Sequence, residues 1–146
     1  MDNGSSVNIL FKKAFEQMRL EAKDLKPCEG WICGFNGALT TPIGYVELLV
    51  TLGQGDRPRV RILPFVVLDV ESHYNAFLGR PALAEFRACI APWCLLLKFP
   101  TDSGVGTMRG DQATGRACYV AELKMLMKRL NIDAKDDSAS QKGASA

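Results

Sequence analysis

The chain has almost no histidine: His73 is the single imidazole among 146 residues. Any Ser-His or Cys-His mechanism would have to use it. Its surroundings, Ser72-His73-Tyr74-Asn75, offer no nucleophile's partner and read as a solvated turn. Charge of one sign is lacking as well. Eighteen Lys+Arg stand against 16 Asp+Glu, so no field of the kind that attracts nucleic acid or a membrane surface is expected. Long hydrophobic runs are missing too. Phe65-Val66-Val67-Leu68 and Cys94-Leu95-Leu96-Leu97 are far too short to span a bilayer. The polar start lacks a charged-then-apolar signal pattern, and the expected setting is intracellular and cytoplasmic.

Cysteine is present but odd in number, at five, which does not suit a closed disulfide framework. Cys28 and Cys33 share a C-x4-C spacing with Cys89 and Cys94, and four thiolates could close a tetrahedral zinc site. That spacing is loose for zinc. Ile32, Ile90 and Trp93 make both stretches look like strand or core, where free cysteine is a small buried hydrophobe. No metal and no cofactor is expected.

The length and the 47% hydrophobic content suit one globular domain with a tail. Leu10, Phe11, Ala14, Phe15 and Met18 recur at helical spacing, and Lys12, Lys13, Glu16 and Arg19 fill the other face. This predicts a helix over 6–20, capped by Ser5 or Ser6. Strands are predicted over 31–35 and 43–52, joined through Gly34-Phe35-Asn36-Gly37, whose Asn-Gly step signals a hairpin. In the second strand Val46, Leu48, Val50 and Leu52 alternate with more polar residues. A further strand over 59–70 is interrupted or edged at Pro64. A short apolar strand runs into Gly79, and Pro81 suits the first turn of a helix to about Arg87. Strands over 94–99 and 104–109 follow, then a helix over 117–130. The segment 134–146 is expected to be disordered.

The N-terminal Asp2-Asn3-Gly4-Ser5-Ser6 can be a plain helix start or a loop presenting a catalytic carboxylate. An Asp-x-Gly loop, then a glycine-rich hairpin, then two apolar residues, Gly and a short helix resembles a retropepsin. More narrowly, several stretches resemble the protease region of plant gypsy-type LTR retrotransposon (gag-pol) polyproteins. They are Asp2 to Ser6 with Ile9-Leu10-Phe11, Gly34 to Gly37, the run from Tyr74 to Pro81, Lys98 to Thr101, and Gly104 to Gln112. The resemblance covers residues 1 to about 123.

It implies a mostly-β, retropepsin-like closed barrel half with short helices and a C-terminal helical tail. The protease domain would occupy 1–110, a connector toward an absent reverse transcriptase 111–133, and the tail 134–146. Asp2 would be the catalytic aspartate, in a loop with Asn3, Gly4 and Ser5. Gly34, Phe35, Asn36 and Gly37 would form the flap over substrate. Phe77, Leu78 and Gly79 would be the element threading beside the active loop, where a side chain on Gly79 would collide with passing backbone.

Peptide hydrolysis by aspartic proteases uses two carboxylates sharing a proton, because like charges so close together cannot both ionise. The resemblance places the catalytic Asp-x-Gly at Asp2, and Asp69 and Asp111 do not repeat it. The resemblance implies a C2 homodimer, in which the partner chain supplies the second aspartate. A peptide or polyprotein is the expected substrate, with no nucleic acid and no membrane as partner. Two features depart from the family pattern. Asn3 stands where the family carries a hydroxyl that ties the two loops together, and the strand that normally precedes the loop is missing, as in an N-terminally truncated fragment. They motivate a second expectation, a catalytically inactive retropepsin-like remnant or a dimerisation and binding module.

Overall fold

A computed structural model of the protein describes residues 1–30, 32–33, 39–53, 55 and 58–142, with 32–33 and 131–142 as backbone only. The chain divides into two units, Met1–Gly110 and Asp111–Ala146.

The first unit is organised around its shortest central strand. Strand β1 (Ile9–Phe11) has all three residues buried. It lies parallel to β5 (Arg59–Leu68) on one side and antiparallel to β6 (Ala76–Phe77) on the other. Successive strand side chains face opposite ways. Leu10 accordingly joins the main core with Phe15, Phe65 and Phe86, while Ile9 and Phe11 join Leu68 in a second cluster. There the Phe11 and Phe77 rings meet edge to face, with centroids 5.3 Å apart.

The helix expected over 6–20 is thus corrected. Only Lys12–Gln17 is helical (α1), and its N-cap, Phe11, supplies no capping side chain. The run Ile9-Leu10-Phe11 fits both periods, and burial on two faces decides for the strand.

Strand β4 (Gly44–Leu52) pairs along its whole length with β5, from Gly44 opposite Val67 to Leu52 opposite Arg59. The order of this sheet is β4-β5-β1-β6. As the alternation predicts, Val46 and Leu52 are buried, and Leu48 and Val50 pack partly buried on the same core. Pro64 does not interrupt β5. It precedes the stretch that β1 covers, which starts at Val66, so no ladder bond from β1 needs the missing N–H.

Helix α2 (Arg80–Phe86) has Pro81 in its first turn and buries Ala82 and Phe86. A three-stranded sheet follows, β7 (Cys89–Ala91), β8 (Leu96–Thr101) and β9 (Gly104–Arg109), in that order. Leu97 and Phe99 of β8 reach the main core. Gly106 lies flat against the Phe99 ring, where a Cβ would come within 2.5 Å of it. Strands β2 (Ile32–Cys33) and β3 (Leu39–Thr40) form a small antiparallel pair.

The architecture is mixed α/β, about a third strand and about a third helix, with three sheets that do not close into a barrel. This corrects the mostly-β closed barrel expected above. Much of the helix lies in α3 (Gln112–Lys142), whose backbone is helical well into the segment expected to be disordered. Ala134, Lys135, Ala139, Gln141 and Lys142 there are of types that favour helix intrinsically. Among the described residues no helix is long and apolar enough to cross a membrane.

Asp111 caps α3. Its Oδ1 accepts the N–H groups of Ala113 (2.9 Å) and Thr114 (3.2 Å), and Oδ2 accepts the Thr114 hydroxyl at 2.8 Å. The Thr114 hydroxyl, followed by the two N–H groups, holds the Asp111 carboxyl below its ordinary value. A group with a lowered folded pKa stabilises fully above the unfolded value of about 4 and loses that contribution as pH falls through the folded value. Asp111→Ala is therefore expected to lower the helical circular dichroism signal at neutral pH. The difference from the parent should narrow as the pH falls below about 4.

Candidate active site

The loop from Asp2 to Val7 is held by its own short-range bonds and by the start of α2. Asp2 Oδ1 accepts the Gly4 N–H at 2.9 Å, and the Asp2 carbonyl accepts the Ser5 N–H at 3.3 Å. A short carboxylate bonding two residues ahead makes an Asx turn. The Ser5 hydroxyl donates to the Val7 carbonyl at 2.7 Å, so it closes the loop and caps no helix. Across the crossing, the Asp2 N–H donates to the Leu78 carbonyl (2.8 Å) and the Arg80 N–H to the Ser5 carbonyl (2.9 Å).

Gly79 sits in the middle of that crossing. A Cβ on it would lie 2.3 Å from the Val7 carbonyl oxygen and 2.8 Å from that of Ser5. Real Cβ atoms essentially never come so close to backbone, and the obstruction is no flexible side chain. Gly79 is therefore required here by contact, since its φ is not positive.

The sequence-derived candidates thus separate into three sets. Asp2, Asn3, Gly4 and Ser5 come together with Leu78 and Gly79. Phe77 turns away into the second hydrophobic cluster, against Phe11 and Tyr74. Gly34, Phe35, Asn36 and Gly37 lie outside the described residues. Their flanks, β2 and β3, pair with Ile32 opposite Thr40 and Cys33 opposite Leu39.

One residue that organises the crossing was not singled out from the sequence. Asn8 is 1% exposed. Its Oδ1 accepts the Gly79 N–H at 2.9 Å, its Nδ2 donates to the Pro64 carbonyl at 3.0 Å, and its own carbonyl accepts the Val66 N–H at 2.9 Å. One amide side chain thereby joins the catalytic-loop candidate, β5 and the glycine. The signal in the sequence was a single amide set between Val7 and Ile9 in an apolar stretch. A buried polar group in such a place needs fixed partners.

Asp2 lines a cavity of about 420 Å³. Asn3, Ile90, Leu97, Met108 and Arg109 also line it. Asp2 is the only carboxylate among its described lining residues. With one oxygen tethered to Gly4 N–H and the other uncommitted among the described residues, this carboxylate can exchange a proton with a bound molecule. A larger cavity of about 610 Å³ between α1 and β4 has no acidic or basic side chain among its described lining residues.

Among the described residues no three His, Cys, Asp or Glu side chains cluster as metal ligands. Cys28, Cys89 and Cys94 are free thiols; the Cys33 side chain lies outside the described residues. His73 is exposed in the bend between β5 and β6. Charge-assisted bonds fasten the periphery. Lys12 pairs with Asp69 at 2.5 Å and Lys26 with Glu47, and each partner raises its lysine's pKa. Neither pair touches the cavity at Asp2. Comparison with protein-family models and with curated proteins finds no match for the chain.

Two substitutions test the crossing. Gly79→Ala should destabilise the protein by about 1–3 kcal/mol, because its new methyl group forces backbone apart. Asn8→Leu leaves the Gly79 N–H and the Pro64 carbonyl without partners and should cost about 1–3 kcal/mol for each one stranded. Both are read as a lowered urea midpoint, and an unchanged midpoint for either would contradict the contact described.

Proposed function

We propose that Met1–Gly110 is a retropepsin-type aspartic endopeptidase domain of a gypsy-type LTR retrotransposon polyprotein, active as a homodimer with one Asp2 from each chain. The observation that carries this reading is the crossing of Gly79 under the Asp2–Val7 loop at Ser5 and Val7, with Asn8 as its bolt. Such a device tethers a carboxylate loop from beneath, beside the cavity that Asp2 lines. Positional tolerance in catalysis is small, and a loop tethered by backbone bonds meets that demand.

In this reading a water lies between two Asp2 carboxylates related by the dimer axis. One takes a proton from the water as it attacks the peptide carbonyl, and the other gives a proton to the carbonyl oxygen. Each carboxylate keeps its orientation through the Gly4 N–H bond. Gly34, Phe35, Asn36 and Gly37, which lie between β2 and β3 in the sequence, serve as the flap in this reading. The substrate is a peptide segment, consistent with polyprotein processing.

A second reading rests on Asn3, whose amide replaces the hydroxyl expected at the loop's middle. In it the same fold serves as a catalytically inactive domain that dimerises or binds.

Digestion of a peptide library at mildly acidic pH, with the parent and Asp2→Ala side by side, separates the two. The protease reading expects cleavage by the parent that falls at least about a thousandfold in the variant, with unchanged circular dichroism. Absence of cleavage by a folded parent would favour the inactive domain. Equal cleavage by both proteins would remove Asp2 from the mechanism.

A further inference from the structure

Helix α3 carries an apolar stripe that its own unit leaves uncovered. Tyr119, Leu123, Leu126 and Leu130 follow one another at spacings of four, three and four residues, the spacing of a helix–helix seam. Val120 and Met127 widen it on one side. All six are exposed, Tyr119, Met127 and Leu130 each by more than half. An isolated helix is marginal in water, and an amphipathic one gains its stability by burying such a stripe.

The charges beside the stripe favour one occupant and one direction. Glu122 and Arg129 lie seven residues apart on the border opposite Val120 and Met127. In a parallel pair of α3 helices, flanking contacts join each residue on one border to the other border of the neighbouring helix. Glu122 would then meet an apolar Met127, and the opposite charges of the two helices would not face each other. In an antiparallel pair, borders meet their own kind. Glu122 then faces the partner's Arg129, and Val120 faces the partner's Met127, each contact occurring twice by symmetry. Between them Tyr119 packs on the partner's Leu130, and Leu123 on the partner's Leu126.

We propose that α3 is a self-association helix, which joins two copies of this chain in an antiparallel pair through the stripe from Tyr119 to Leu130. Such a contact is isologous and closes at two chains. It does not depend on the protease reading.

The test uses the full chain and charge reversal, with association followed by sedimentation. Glu122→Arg puts four arginines along the antiparallel borders, and Arg129→Glu puts four glutamates there. Each variant alone should self-associate about tenfold more weakly than the parent. A mixture of the two single variants makes both border contacts complementary again, and should recover parental affinity as a heterodimer. The double variant, Glu122→Arg with Arg129→Glu, should also recover it. A parent that is monomeric at about 100 μM would overturn the proposal. So would dimers indifferent to either reversal, which would assign association to Met1–Gly110 instead. Weakening without recovery in the mixture would overturn the antiparallel pairing. Peptide cleavage is read separately, so loss of protease activity and loss of this contact are distinguishable.

Discussion

The passage of Gly79 beneath the loop of Asp2 to Val7 is the constraint around which the first unit is arranged. Two backbone segments approach so closely there that no Cβ fits between them. Closeness of this kind leaves polar backbone groups out of reach of water, and each must then find a partner. The partners are present. Leu78, Ser5 and Asn8 accept from Asp2, Arg80 and Gly79 in turn. A side chain at position 79 would break not one contact but the geometry in which all three bonds form.

Burial of β1 on both faces is the counterpart of that crossing. The strand has only three residues, yet it lies between β5 and β6 and divides the apolar side chains into two clusters. Parallel pairing with β5 and antiparallel pairing with β6 fix its register from two sides. A slip by one residue would turn Leu10 out of the main core and send Ile9 and Phe11 into it. Because the Asp2 loop runs directly into β1, the position of the carboxylate follows from hydrophobic packing at Ile9, Leu10 and Phe11. Site and core are therefore coupled over a few residues of chain, with Asn8 between them.

Legibility in the sequence followed the range of the forces involved. The alternation in β4, the turn proline of α2, the hairpin β8–β9 and the helical periodicity after Ala117 are local signals, and the structure has elements at each. At Ile9-Leu10-Phe11 the local signal was ambiguous, since residues that continue a helical stripe also satisfy a two-faced strand. The neighbours in space, β5 and β6, are more than 45 residues away along the chain. Pro64 misled in the same manner: its effect on a strand depends on whether a second strand stands opposite its nitrogen. Asn8 escaped notice because a buried amide is identified by its partners, Gly79 and Pro64, and neither is near it in sequence.

What the sequence by itself determined is the inventory: one histidine, Asp-x-Gly at Asp2 and again at Asp102, balanced charge, no spanning run, and a stripe at seam spacing on the last helix. Those are matters of composition and of spacing within a few turns of chain. Only the tertiary structure decided that Gly79 meets Ser5 and Val7, that three separate sheets replace a closed barrel, and that Asn8 joins loop to strand. The physical reason is that these features arise from contacts between distant segments. Their strength comes from excluded water and close packing, which no short window of sequence contains.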